Sequence, residues 1–132
     1  MDSNPQYTDK ETEVLRRRFI ALSWRKYNNI YSPGKHNYAF TNMVRLCSAI
    51  YAKEGNLRRV LMPLLQYQDD CVRANAAFYM IWEEPDEATA VLRQVAQADS
   101  PYSFLSLHAE DFLEGWQDGK AIPLHKPPPD HK

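Results

Sequence analysis

Seven consecutive residues, Ala76-Ala77-Phe78-Tyr79-Met80-Ile81-Trp82, are apolar or aromatic without a break. Asp69 stands upstream as a helix N-cap, and the stretch from 70 to 82 is too long for an ordinary strand. A helix that is apolar all round has to be covered on every side. The rest of the chain must therefore supply its neighbours, which makes an all-α architecture the expectation.

The flanking sequence has the right pieces. A first helix is predicted over 9–30, capped by Thr8 or Asp9, with Glu11 and Glu13 suited to its opening turns. It carries two apolar stripes, Leu15-Phe19-Leu22 and Ile20-Trp24-Tyr27-Tyr31, a wider face than one neighbour needs. Ser32-Pro33-Gly34 reads as a break, and a second helix is predicted over 37–53. Glu54-Gly55-Asn56 then reads as a stop followed by a new cap. A third helix over 57–67 contains Pro63, which predicts a kink. Pro85 suits the first position of a fifth helix, with Asp86 and Glu87 in its first turn. Ser100-Pro101 repeats that signal before a sixth helix ending near Trp116, with Phe104, Leu105, Ala109, Phe112 and Leu113 inward. A single helical domain over 1–119 and an extended Pro-rich tail over 120–132, with Pro127-Pro128-Pro129, are expected.

Two hairpins repeat one another. Val60-Leu61 and Leu64-Leu65 correspond to Val91-Leu92 and Val95-Ala96 at a period of 31, and Ala77 and Ile81 to Ala109 and Leu113 at 32. A period near thirty built of helix pairs is the mark of a helical solenoid. Asp69-Asp70-Cys71-Val72-Arg73-Ala74-Asn75-Ala76-Ala77 resembles the second helix of a HEAT repeat, which implies HEAT-like right-handed hairpins. Val72-Arg73, Ala76-Ala77, Pro85 and the closing Trp116-Gln117-Asp118-Gly119 are also similar to a small bacterial family known only as a domain of unknown function with a HEAT-like fold. That resemblance covers 72–116, implies a fold, and brings no catalytic residue with it. Tyr102-Ser103 stands where Val-Arg recurs in the repeat, so the last hairpin is expected to be a terminal cap.

Charge is distributed unevenly along the chain. Residues 1–68 hold eleven Lys/Arg against five acids, and 69–119 hold eleven acids against Arg73 and Arg93. Such a molecule is dipolar, and its field can steer a charged partner; alternatively, the two halves attract one another within the fold.

Catalytic signatures are missing. There is no Gly-rich phosphate loop, no Gly-x-Ser-x-Gly elbow and no His-Glu-x-x-His. His108 beside Asp111 and Glu114 is read as a solvated polar edge, with no metal and no cofactor. Cys71 has no nearby His, and both cysteines fall in helical patterns, which suits reduced thiols in the cytoplasm. No apolar run reaches membrane length, and Met1-Asp2-Ser3-Asn4-Pro5 does not open on a basic region followed by an apolar stretch, so no secretory leader is expected. Arg16-Arg17-Arg18 with Arg25 and Lys26 raises nucleic-acid binding, but the acidic half and a sequence pI near 6.4 argue against it.

The expectation is therefore a non-enzymatic protein-binding module. Its sharpest form is an immunity or antitoxin-like protein whose acidic face neutralises a basic toxin enzyme. Glu83, Glu84, Asp86, Glu87, Glu110, Asp111 and Glu114 would supply charge, and Tyr79, Trp82 and Tyr102 aromatic anchors. The alternative is a scaffold or adaptor that self-associates through Trp24, Tyr27 and Tyr31.

Overall fold

The structure, a computed structural model, describes residues 6–28, 32–98 and 104–119. Among them lie six α-helices and no strand. They are α1 (Asp9–Asn28), α2 (Pro33–Glu54), α3 (Arg58–Leu61), α4 (Asp70–Met80), α5 (Pro85–Gln97) and α6 (Leu105–Gln117). The predicted tail, Ser100-Pro101, Ile30, Tyr31 and Tyr102 fall outside the described residues.

The caps account for most boundaries. The Thr8 hydroxyl accepts from Glu11 N–H at 3.1 Å while the Glu11 carboxylate accepts from Thr8 N–H at 2.8 Å, a reciprocal capping box for α1. Asp69 accepts from Cys71 and Val72 N–H and starts α4. Gly55 closes α2 in the left-handed region, at φ 82°, and donates to the Tyr51 carbonyl. Gly119 does the same after α6, at φ 75°, donating to the Trp116 carbonyl. Its backbone geometry is the reason for the closing Trp-x-x-Gly. Pro63 does kink its helix: α3 lasts one turn and continues as a 3₁₀ segment, Met62–Gln66.

Two boundaries differ from expectation. Pro33-Gly34 do not separate the helices but form the first turn of α2, because proline at N1 lacks only an N–H that no helix uses there. α6 starts at Leu105, and Phe104 precedes it in the left-handed region at φ 68°. That geometry turns Phe104 outward, 50% exposed, where the periodicity had placed it inward.

The core is one cluster. α4 is its centre, with Ala74, Ala76, Ala77, Phe78 and Met80 fully buried, as is Ile81 directly after it. It packs against α1, α5, α6 and the 3₁₀ segment, as its unbroken apolar sequence requires. α1 and α2 form one hairpin and α5 and α6 another. Trp82, just before α5, meets Trp116 at the end of α6 edge-on at 5.0 Å, so these two helices run antiparallel. Arg73 ties α4 to α5, bonding Asp70 at 2.6 Å and Gln94 at 2.9 Å. No helix among the described residues is long and apolar enough to cross a membrane.

Candidate functional site

The predicted acidic residues separate into two groups. Asp86 and Glu87 in the first turn of α5, and Glu110, Asp111 and Glu114 on α6, are all exposed, and none has an ion-pair partner among the described residues. On α6 the positions 107, 110, 111, 114 and 118 recur at steps of three and four and share one outward face. That face begins with exposed Phe104 and Leu107 and continues into acids. Its acids lie toward the C-terminal end of α6, where the helix dipole is already negative and no basic residue sits in the last turn. Among the described residues no ion pair offsets the negative charge there. The sequence reading missed Phe104 and Leu107 as apolar members of this face. Leu107 was legible, two residues past Leu105 and so on the opposite side of a helix.

Glu83 and Glu84 do different work. The Glu83 side chain, 8% exposed, accepts the Tyr51 hydroxyl at 2.7 Å and the Leu57 N–H at 3.1 Å, with Arg58 at 3.9 Å. It joins the end of α2, the start of α3 and the α4–α5 turn. Glu84 pairs with Arg58 at 2.7 Å. The two halves of the chain do attract one another within the fold, and they do so here. Tyr79 is 2% exposed and meets the Phe19 ring edge-on at 6.0 Å. Trp82 is half-buried against Trp116. These four side chains hold the scaffold together rather than forming the outward face.

The basic run also divides. Arg16 donates to the Val60 and Arg59 carbonyls at 3.0 and 2.8 Å and pairs with Glu13, stapling α1 to α3. Arg17 pairs with Glu13 as well. Arg18 instead lines a cavity of about 270 Å³ with Ala21, Leu22, Arg25, Tyr38 and Asn42. A second cavity, about 440 Å³, is lined by Arg25, Gly34, Lys35 and Tyr38. A third, about 610 Å³, lies at Pro63 and Tyr67–Asp69. The aromatic stripe of α1 is split, with Tyr27 buried and Trp24 38% exposed.

The interior holds a polar cluster that sequence reasoning missed. Lys26 is 3% exposed, and its ammonium donates to Asn75 Oδ1 at 3.2 Å inside a cage of the Tyr27, Phe40 and Phe78 rings, at 5.3, 5.4 and 5.5 Å. Burial lowers its pKa to about 8. His108 is no solvated edge: it stacks on Phe78 at 4.7 Å and shares a hydrogen bond with the Tyr27 hydroxyl. Burial first, then the Lys26 charge, depresses its pKa to about 4, so it is neutral at pH 7. His36 Nδ1 donates to the Lys26 carbonyl at 2.7 Å. The Cys71 thiol donates to the Ser23 carbonyl, and burial raises its pKa, which disfavours a thiolate. None of the three cavities above is lined by Lys26, Tyr27, Cys71 or His108. The cluster joins α1 to α2, α4 and α6. Among the described residues no group of three His, Cys, Asp or Glu side chains is gathered so as to hold a metal ion.

Comparison with known proteins agrees with this architecture. The family described as Domain of unknown function (DUF2019) matches residues 15–114, which extends the likeness back through α1. The crystal structure of the protein RPA1889 from Rhodopseudomonas palustris CGA009 is similar, with a TM-score of 0.74 and 20% identity over 93% of this chain and 98% of that one. At that identity the likeness is one of fold. Among curated proteins none matches the chain.

Proposed function

The chain belongs to the DUF2019 family, and within it we propose that the protein is a non-enzymatic binding module whose α6 face receives a basic surface of a partner protein. The observation that carries this reading is the composition of that face: Phe104 and Leu107, then Glu110, Asp111 and Glu114, with no Lys or Arg on α6. Apolar residues at the edge of a one-sign charge field have the composition of an interface, in which apolar groups anchor and charge sets on-rate and partner choice. Asp86 and Glu87 extend the same sign onto α5.

The finer form of the proposal is an immunity protein that neutralises a toxin enzyme. Enzymes acting on nucleic acid gather Lys and Arg to hold phosphates, and a rigid acidic helix can occupy such a cleft in place of the substrate. The interior polar cluster is closed over by rings, which supports a scaffold role for it and leaves binding as the work of the surface.

The test uses the full chain as bait in its source cell, beside a Glu110→Lys/Asp111→Lys/Glu114→Lys variant. A basic protein captured by the first and lost by the second is then purified, and its affinity measured at low and high salt. The variant should bind about a hundred-fold more weakly, and wild-type affinity should fall with salt. Equal affinity for both chains overturns the proposal. Inhibition of the captured partner's enzyme activity tests the immunity form separately.

A further inference from the structure

The α1–α2 hairpin carries a feature that the acidic face does not explain. From Val14 to Lys53 the chain has eight Lys or Arg and not one Asp or Glu. Lys26 is interior and Arg16 is bound to α3, but Arg18, Arg25 and Lys35 gather around one exposed ring, Tyr38. The two cavities there, about 270 and 440 Å³, share Arg25 and Tyr38 and so form one depression along the helix pair. The Arg25 guanidinium lies 5.5 Å over the Tyr38 ring, which is 57% exposed. Gly34 borders the depression, and a side chain there would meet nothing within 4 Å, so the backbone of the first α2 turn is open to close approach. Asn42 donates to the Tyr38 carbonyl at 2.8 Å, which aims its amide oxygen elsewhere as an acceptor.

We propose that this depression binds a single strand of nucleic acid, with phosphates on Arg18, Arg25 and Lys35 and a base stacked on Tyr38. Cations alone would suit any anion. The Tyr38 ring, more than half exposed with the Arg25 guanidinium over one face, adds a stacking platform on the other, which a base uses and an acidic peptide does not. Helices pack about 8–10 Å apart, so the furrow between them suits a strand better than a duplex. The sequence-level objection was the acidic half of the chain. In the fold α4 packs between the two hairpins, and no ion pair among the described residues joins α1–α2 to α5–α6.

The experiment is fluorescence anisotropy of a labelled 15-nucleotide dT strand titrated with the full chain at several salt concentrations. Saturable binding is expected, with log K falling against log salt at a slope near −2 for about three phosphates. Tyr38→Ala should weaken binding about ten-fold or more at unchanged slope. Arg18→Gln and Lys35→Gln should each flatten the slope by about 0.7. All three side chains are exposed, and a thermal melt checks that each variant folds. The triple lysine variant of α6 should still bind the strand, which separates this site from the proposed protein-binding face. Equal competition by poly-glutamate, equal or tighter binding of duplex DNA, or an undiminished Tyr38→Ala variant each overturns the proposal.

Discussion

The first and last hairpins are built alike and charged oppositely. α1–α2 and α5–α6 each pair two helices, the first meeting α4 through α1 and the second through both of its helices. Yet 14–53 holds eight basic residues and no acid, whereas 85–119 holds seven acids and the single base Arg93. Apart from interior Lys26, α3-bound Arg16 and Asp99, which falls outside the described residues, these side chains are exposed, so core packing demands neither sign. The comparison teaches that the fold leaves the sign of each outer face free.

The first way to break the comparison is to remove what holds the two hairpins together. Phe78 of α4 packs on Phe112 and His108 of α6, while the Lys26 ammonium of α1 lies over its ring. Phe78→Ala should cost about 3–5 kcal/mol. Urea unfolding should remain one transition by both far-UV and tryptophan signals. Two transitions would mean that the hairpins are stable apart.

Next, the same residue type can be compared inside and outside. Glu83→Ala removes three partners at once and leaves the Leu57 N–H unsatisfied, for about 3 kcal/mol in denaturant unfolding. Glu110→Ala on the exposed face should stay within about 0.5 kcal/mol. A large loss at Glu110 would give that face a folding role.

The buried lysine offers a change of opposite sign. Lys26 has a folded pKa near 8, below its ordinary value, so the unfolded chain binds the proton more tightly. Stability should therefore rise as pH climbs from about 8 toward 10.5. Lys26→Met should stabilise the protein by about 1–2 kcal/mol at pH 7 and flatten that rise. A destabilised Met variant would show that the ammonium holds the ring cage together.

His108 has an effect confined to acid pH. Its depressed pKa means that stability is full above about 6.5 and drains away as pH falls toward 4. Thermal melts across that window should show a decline that His108→Asn lessens.

Much of the fold was legible because it rests on local chemistry. Asp69, Pro85 and Gly55 mark ends by capping rules, and the 31–32 repeat follows from shared core positions. The predicted site was legible only in part. Glu83 and Glu110 look alike in sequence, and only the tertiary approach of Tyr51 and Leu57 makes one of them internal. Lys26 was counted as surface charge by residue type. Its spacing held the contrary signal: Phe19, Ser23 and Lys26 fall at steps of four and three, on the buried side of α1. Phe104 misled for another reason, since a left-handed residue ahead of α6 resets the helical phase from Leu105 onward.

The three tryptophans fall one in the first hairpin and two at the last. Trp24 stands partly in water on α1, while Trp82 and Trp116 meet nearly perpendicular, at 86°. The pair is close enough for its strong far-ultraviolet indole transitions to couple, and the partly exposed lone indole suits a red-shifted emission. The protein thus carries a separate optical reporter for each end, and titration of either proposed occupant can be followed without a label.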